Sequence, residues 1–225
     1  MPQKKRSVVL VSGGMDSLVT AAIAVEESDA SFLHVRYGQR TEKKERSAFR
    51  AIADHYEIRR RLETDISYLE KIGGSSLLDR RIPVRESGVD GDHIPTSYVP
   101  FRNAHLLAIA VSWAEVIEAS RIYIGAVEED SSGYPDCGES FLRAFEEAAR
   151  LGSSRGAALR IVAPLLHRSK AQIVRAGEER KVPFHLSWSC YQNEEQACGV
   201  CDSCRLRLAA FRACGLEDPI PYRRR

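Results

Sequence analysis

Two groups of residues have types and spacings that could do chemistry. The first is "SGGMDS", Ser12 to Ser17, which follows the apolar run Val8–Val11 and leads directly into a helical pattern. Glycine has no Cβ, so Gly13 and Gly14 let the chain turn tightly and let an anion approach the backbone N–H groups. A helix starting at Met15 aims its unpaired N–H groups and positive dipole end at the same point. Ser12 and Ser17 add hydroxyl donors, and Asp16 adds a carboxylate that could orient a Mg²⁺-bound phosphate. The chemistry is phosphate binding. Neither G-x-x-x-x-G-K-[ST] nor G-x-G-x-x-G is present, so it is not the common nucleotide loop or the dinucleotide one.

The second group is Cys190, Cys198, Cys201 and Cys204, spaced C-x7-C-x2-C-x2-C. Four thiolates so close together make a tetrahedral Zn²⁺ site the leading reading. An iron–sulfur run of the bacterial ferredoxin type would need a further cysteine where Leu208 stands. All four positions are filled, so the site is expected to be structural, stapling a terminal segment too short for its own core. Cys214 lies outside this spacing and is expected to be a buried or free thiol.

Elements must hold these groups in place. Candidate strands are 7–11, 31–35, 57–62, 121–125 and 159–163, alternating with helical patterns at 15–23, 40–56, 103–118, 139–151 and 169–180. Ser169 and Gln172 have capping-box spacing. The stretch 103–118 is apolar nearly all round and is expected to be covered on most sides. Alternating strands and helices predict an α/β fold, a doubly wound parallel sheet. Its first strand–helix turn would face the ligand crevice. Two stretches break the rhythm: 63–99 reads as a long polar loop, and the alternation stops at about 184. The expected division is 1–183 as an α/β domain and 184–225 as a C-terminal zinc-binding region.

Composition sets outer limits. The chain has 225 residues, a net charge of +2, 44% hydrophobic and 28% charged residues, which is ordinary for a globular protein. That charge argues against a dedicated nucleic-acid surface, and the basic termini, 4–6 and 223–225, read as solvated tails. Val8–Val11 is shorter than the roughly 7–15 residues of a signal-peptide core, and no run approaches the roughly 20 of a membrane span. The expectation is a cytoplasmic protein with reduced cysteines.

"SGGMDS" resembles the pyrophosphate loop of the N-type ATP pyrophosphatases, the superfamily of GMP synthetase and NAD synthetase. Further blocks narrow the resemblance: "YGQR" (37–40), "SYVPFRN" (97–103), "SGYPDC" (132–137), "PLLHRSKAQIV" (164–174) and the cysteine block (188–211). Together they resemble the 7-cyano-7-deazaguanine synthase family over nearly the whole chain. Two departures stand out: Arg36 where that family usually has Asp, and Gly138–Glu139 where it usually has Arg-Pro.

The resemblance implies a Rossmann-like fold of the adenine nucleotide alpha hydrolase type, with ATP, Mg²⁺ and Zn²⁺. It implies 7-carboxy-7-deazaguanine and ammonia as substrates, adenylation of the carboxylate and then of the amide, and a homodimer. It places ATP on Val11, Ser12, Gly13, Gly14, Met15, Asp16, Ser17, Leu18, Tyr37, Gln39 and Lys170. Asp16, Lys170, Arg102 and Asp136 are its candidate catalytic residues. On residue type alone, Lys170 could be a surface lysine, Arg102 a structural ion pair and Asp136 a turn residue. Cys137 is expected to be a packing or substrate-lining residue, and His34, His93, His105 and His167 to be structural.

Overall fold

Val8 and Val9 are fully buried, and a strand with no wet face belongs in the middle of a sheet. In the computed structural model, which describes residues 4–86, 94–128, 133–154 and 158–223, this strand is β1 (Arg6–Leu10). It pairs in parallel with β2 (Asp29–Arg36) on one side and β4 (Arg121–Tyr123) on the other. β3 (Arg61–Asp65) extends the sheet beyond β2, and β5 (Arg160–Val162) beyond β4. The order is β3-β2-β1-β4-β5, with every pair parallel.

Helices connect the strands: α1 (Met15–Glu27), α2 (Glu42–His55), α3 (Tyr68–Ile72), α4 (Arg102–Val116), α5 (Glu139–Gly152), α6 (Lys170–Glu179) and α7 (Asp202–Ala213). Alternate residues of β1 feed two apolar layers. Val9 packs with Leu18, Phe32, Phe49, Ile173 and Phe211. Val8 and Leu10 pack with Leu33, Leu107, Ile122 and Leu142. The chain winds one way through β2 and β3, then returns to the other side of β1. The crevice therefore opens at the carboxyl ends of β1 and β4.

The predicted parallel α/β sheet is present, and four strands fall within two residues of their expected places. The fifth moves. Residues 57–60 close the end of α2 instead of forming a strand: Glu57 takes a left-handed φ of 53°, and Ile58 N–H donates to Ala53 O at 2.9 Å. β3 accordingly starts at Arg61, and with α3 it occupies the first part of the supposed loop 63–99. The apolar stretch 103–118 is also less covered than expected. Its buried residues are Asn103, Ala104, Leu107, Ala110 and Ala114, while Val116 is 79% exposed. Lys4, read as part of a solvated tail, donates to the Val25 and Glu26 carbonyls at the end of α1 (3.1 and 2.7 Å). Both halves of the Ser169–Gln172 capping box are formed. Beyond 184, α7 lays Ala210 and Phe211 against the main core. No helix among the described residues is long and apolar enough to cross a membrane.

Candidate active site

The glycine corner is shaped by what lies beneath it. Gly13 has a φ of +92°, and a Cβ there would sit 2.6 Å from Glu45 O and 3.1 Å from Ala48 Cβ. Only glycine fits. Gly14 caps α1 without side-chain help, and the first intrahelical bond runs from Leu18 N–H to Gly14 O at 3.0 Å. The preceding amides of the first turn are thus left for a ligand. Ser12 Oγ accepts from Gly14 N–H (3.2 Å), and Ser17 Oγ donates to Gly14 O (2.9 Å). Gly125 lies two residues beyond the end of β4, where a Cβ would come within 3.0 Å of Ser17 N. This glycine, which nothing in the local sequence singles out, lets α1 start against the sheet.

Lys170 reaches the corner from the first turn of α6. Its Nζ donates to Asp16 Oδ2 at 2.8 Å, and both side chains are mostly covered. The other carboxylate oxygen, Asp16 Oδ1, is buried with no hydrogen-bond partner among the described residues. A lysine, a carboxylate with one open oxygen and a set of helix amides fit a polyphosphate with a Mg²⁺ ion.

A cleft of about 680 Å³ joins this corner to residues from several other segments, a volume typical of small-molecule sites. Val11, Ser12, Gly14, Met15, Asp16, Ser17, Tyr37, Arg102 and Lys170 all line it. Gly13, Leu18, Gln39 and Asp136 do not, and they shape it from behind. Gln39 accepts from Tyr37 N–H (3.0 Å) and donates to Glu45 Oε2 (2.8 Å). Asp136 is buried, and its Oδ2 accepts from Asn103 N–H at 2.8 Å. It therefore caps the first turn of α4. Asn103 Nδ2–H in turn donates to the Asp136 carbonyl (2.9 Å) and to Cys137 Sγ (3.2 Å). Cys137 lines the cleft, as expected.

Arg102 is aimed by its neighbour. Phe101 holds a left-handed φ of 57° at the cap of α4, an uncommon conformation for a bulky residue. Arg102 then donates to Tyr37 Oη (3.2 Å) with its guanidinium 5.3 Å from the Tyr37 ring centre. Burial pushes the Tyr37 phenol up to about 12, and it raises Tyr134 and Tyr191 as well. All three phenols stay protonated at neutral pH. With Ser97, which hydrogen-bonds Tyr134 at 2.6 Å, they give the cleft flat apolar faces edged with hydroxyls.

Glu45 lies on the cleft wall and was not among the expected site residues. It accepts from Thr41 Oγ1 (2.7 Å) and Gln39 Nε2 (2.8 Å), and burial raises its carboxyl to about 6 against those bonds. A signal for it existed. Glu45 falls on the same helical face as Ala48, Phe49 and Ile52, which are all buried, and a charge on an apolar stripe needs a reason.

The four cysteines come together. Their sulfur atoms lie within 4.8 Å of one another, with Cys198 and Cys204 Sγ 3.9 Å apart. Tetrahedral Zn–S bonds of about 2.3 Å need sulfur separations close to this. Backbone N–H groups of Gln192, Asn193 and Cys198 each point at Cys190 Sγ from 3.4 Å, as they would at a metal-bound thiolate. The cysteine cluster touches the phosphate corner through a residue that was also not foreseen. Trp188, two residues before Cys190, donates its backbone N–H to Gly13 O at 2.8 Å.

Among the described residues no histidine lines the cleft. His34 is buried, stacked on Phe49, with Nδ1 2.9 Å from Val11 O. His105 Nδ1 meets Phe101 O at 2.9 Å, and His167 sits between Glu128 and Glu139; His93 lies outside the described residues. The two departures are peripheral. Arg36 pairs with Glu42 (3.1 Å) and Asp65 (3.3 Å) and is not part of the cleft lining, while Gly138 caps α5 and Glu139 pairs with Arg143.

Comparison with known proteins identifies the family. The family model for queuosine biosynthesis protein QueC matches residues 6–215. The 7-cyano-7-deazaguanine synthase of Chlorobium phaeobacteroides is 57% identical over 221 residues, covering 98% of each chain. That of Chlorobaculum tepidum is 57% identical over 218 residues, covering 96% of each. Among solved structures, NMN synthetase from Francisella tularensis superposes with a TM-score of 0.50 at 15% identity, over 96% of this chain and 79% of its own; that likeness concerns the fold alone. Matched from β1 through α7 and more than half identical to curated members over almost its full length, the chain belongs to the queuosine biosynthesis protein QueC family.

Proposed function

We propose that the protein converts 7-carboxy-7-deazaguanine and ammonia into 7-cyano-7-deazaguanine at the expense of ATP. The observation that carries this reading is the corner where α1 and α6 begin together: helix amides, a glycine that tolerates no side chain, and Lys170 on Asp16, all opening into one cleft. That corner would hold the β- and γ-phosphates and leave the α-phosphate facing the deeper cleft. There a substrate carboxylate oxygen attacks phosphorus, and the bond to pyrophosphate breaks. Ammonia then displaces AMP to give the amide. A second ATP adenylates the amide oxygen, and loss of AMP with two N–H protons leaves the nitrile.

Each residue has a part. Lys170 and the helix amides stabilise charge on departing pyrophosphate. Mg²⁺ at Asp16 would neutralise the same oxygens. Arg102, forked and permanently charged, would hold the substrate carboxylate, with Tyr37, Tyr134 and Tyr191 against the flat ring. We assign Zn²⁺ to the four cysteines, and divide the chain into an ATP-binding α/β unit, 1–183, and a zinc-stapled region, 184–225, that adds Tyr191 to the cleft. Thiolate ligation suits the cytoplasm. We also infer a homodimer: Phe101 is 56% exposed, beside Phe141 at 6.0 Å, on a face a second copy would cover. The reaction is tested by incubating the protein with both substrates, ATP and Mg²⁺ and seeking the nitrile by mass spectrometry. Its absence, with the acid unchanged, would reject the reading.

A further inference from the structure

The reaction proposed above requires a step for which the phosphate corner has no group to spare. Near neutral pH the nitrogen source is mostly ammonium, which carries no lone pair and cannot attack an acyl group. Something must hold the cation and remove a proton. Among the described residues three carboxylates line the cleft: Asp16, Glu45 and Asp202. Asp16 is engaged by Lys170. Asp202 opens α7, on the cysteine side of the cleft, where Arg205 and Arg85 act on it.

Glu45 is different in three respects. Its position is fixed: Thr41 holds one oxygen and Gln39 the other (2.7 and 2.8 Å), leaving each with a further lone pair to offer. It neighbours the acyl end of the proposed substrate, since Arg102, the carboxylate holder, is the cation that acts on it. And its own backbone supports the phosphate corner, because Glu45 O is the atom that excludes a side chain at Gly13. Among the described residues no salt bridge spends it, and its hydrogen-bond donors, Thr41 and Gln39, are neutral.

We propose that Glu45 is the ammonium-binding group of the cleft and the base that converts ammonium into the attacking nucleophile. One N–H proton passes from ammonium to a Glu45 carboxylate oxygen. The lone pair so released forms the C–N bond to the acyl carbon. The bond from that carbon to the AMP oxygen breaks, and its electron pair leaves with AMP. A second N–H proton goes to the departing phosphate, and Glu45 returns its proton to solvent. Burial serves this role, because a carboxyl raised to about 6 is ionised at neutral pH yet a better proton acceptor than an exposed one.

The inference rests on the reaction proposed above, and the test separates the two. Amide formation is followed for wild type, Glu45→Gln and Glu45→Asp with ammonium, and then with hydroxylamine, which is neutral at neutral pH and needs no base. Glu45→Gln is expected to raise the KM for ammonium or lower its kcat/KM by about a hundredfold. It should retain ATP-dependent pyrophosphate release and hydroxamate formation within a few-fold of wild type. Glu45→Asp should fall between. Equal losses with both nucleophiles, or an unchanged ammonium dependence, would overturn the assignment. A wild-type protein that activates no carboxylate would instead reject the reaction, and this inference with it.

Discussion

At the scale of single residues the site is defined by what cannot be replaced. Gly13 combines a left-handed φ with a neighbour 2.6 Å from any added Cβ, so Gly13→Ala must push the corner away from α2. A shift of that kind in a positioning loop costs on the order of a hundredfold in rate. Steady-state turnover should show it, together with a lowered melting temperature from the strained left-handed backbone. Glu45 makes the opposite kind of prediction. Its carboxyl sits at about 6 in the folded protein, above its unfolded value. The native state therefore binds more protons than the unfolded chain between the ordinary carboxylate range and pH 6. Stability falls as pH rises through that window and stays lower above it. Gln, like the protonated acid, avoids the cost. Glu45→Gln should match or exceed wild-type stability at pH 7.5, by up to about 2 kcal/mol, and lose that advantage by pH 4. Chemical denaturation at the two pH values would show this, and a less stable variant at pH 7.5 would contradict it.

Between elements, the link that matters joins the metal centre to the phosphate corner. Arg207 and Asp218 are both 1% exposed in their side chains and form a two-pronged pair at 2.7 and 2.9 Å. Arg207 also donates to Ser187 Oγ at 2.7 Å. Together with Cys190 this clamps Trp188 from both sides, and Trp188 holds Gly13 O. Metal removal should therefore do more than loosen the terminus. Chelation is expected to shift Trp188 emission and to raise the KM for ATP severalfold before global unfolding, with excess ATP slowing the loss. Unfolding with no prior change in ATP binding would mean that the centre is only a staple. Little of this link was legible in the sequence. The cysteine spacing and the glycine pair are local signals, and both were plain. Trp188 meets Gly13 across more than 170 residues of chain, and Gly125 matters only because α1 crowds it; neither leaves a local mark. The misplaced strand has a similar cause. Residues 57–62 carry apolar Ile58 and Leu62 among arginines, but the end of α2 takes Ile58 for its own closure.

For the whole molecule, the order β3-β2-β1-β4-β5 puts the reversal beside β1, and this brings every part of the cleft to one edge. The alternation of strands and helices made that layout readable from the sequence, as it made the corner readable. The inner cleft was less so, because its walls come from several separate segments whose meeting depends on tertiary packing. The central claim is that this edge presents the α-phosphorus of ATP to a substrate oxygen. It is tested most directly with 7-carboxy-7-deazaguanine carrying ¹⁸O in its carboxylate, with AMP and pyrophosphate analysed after turnover. The account predicts AMP that carries the label and pyrophosphate that does not, with two AMP formed for each nitrile. ADP and phosphate as products, or AMP free of label, would contradict it.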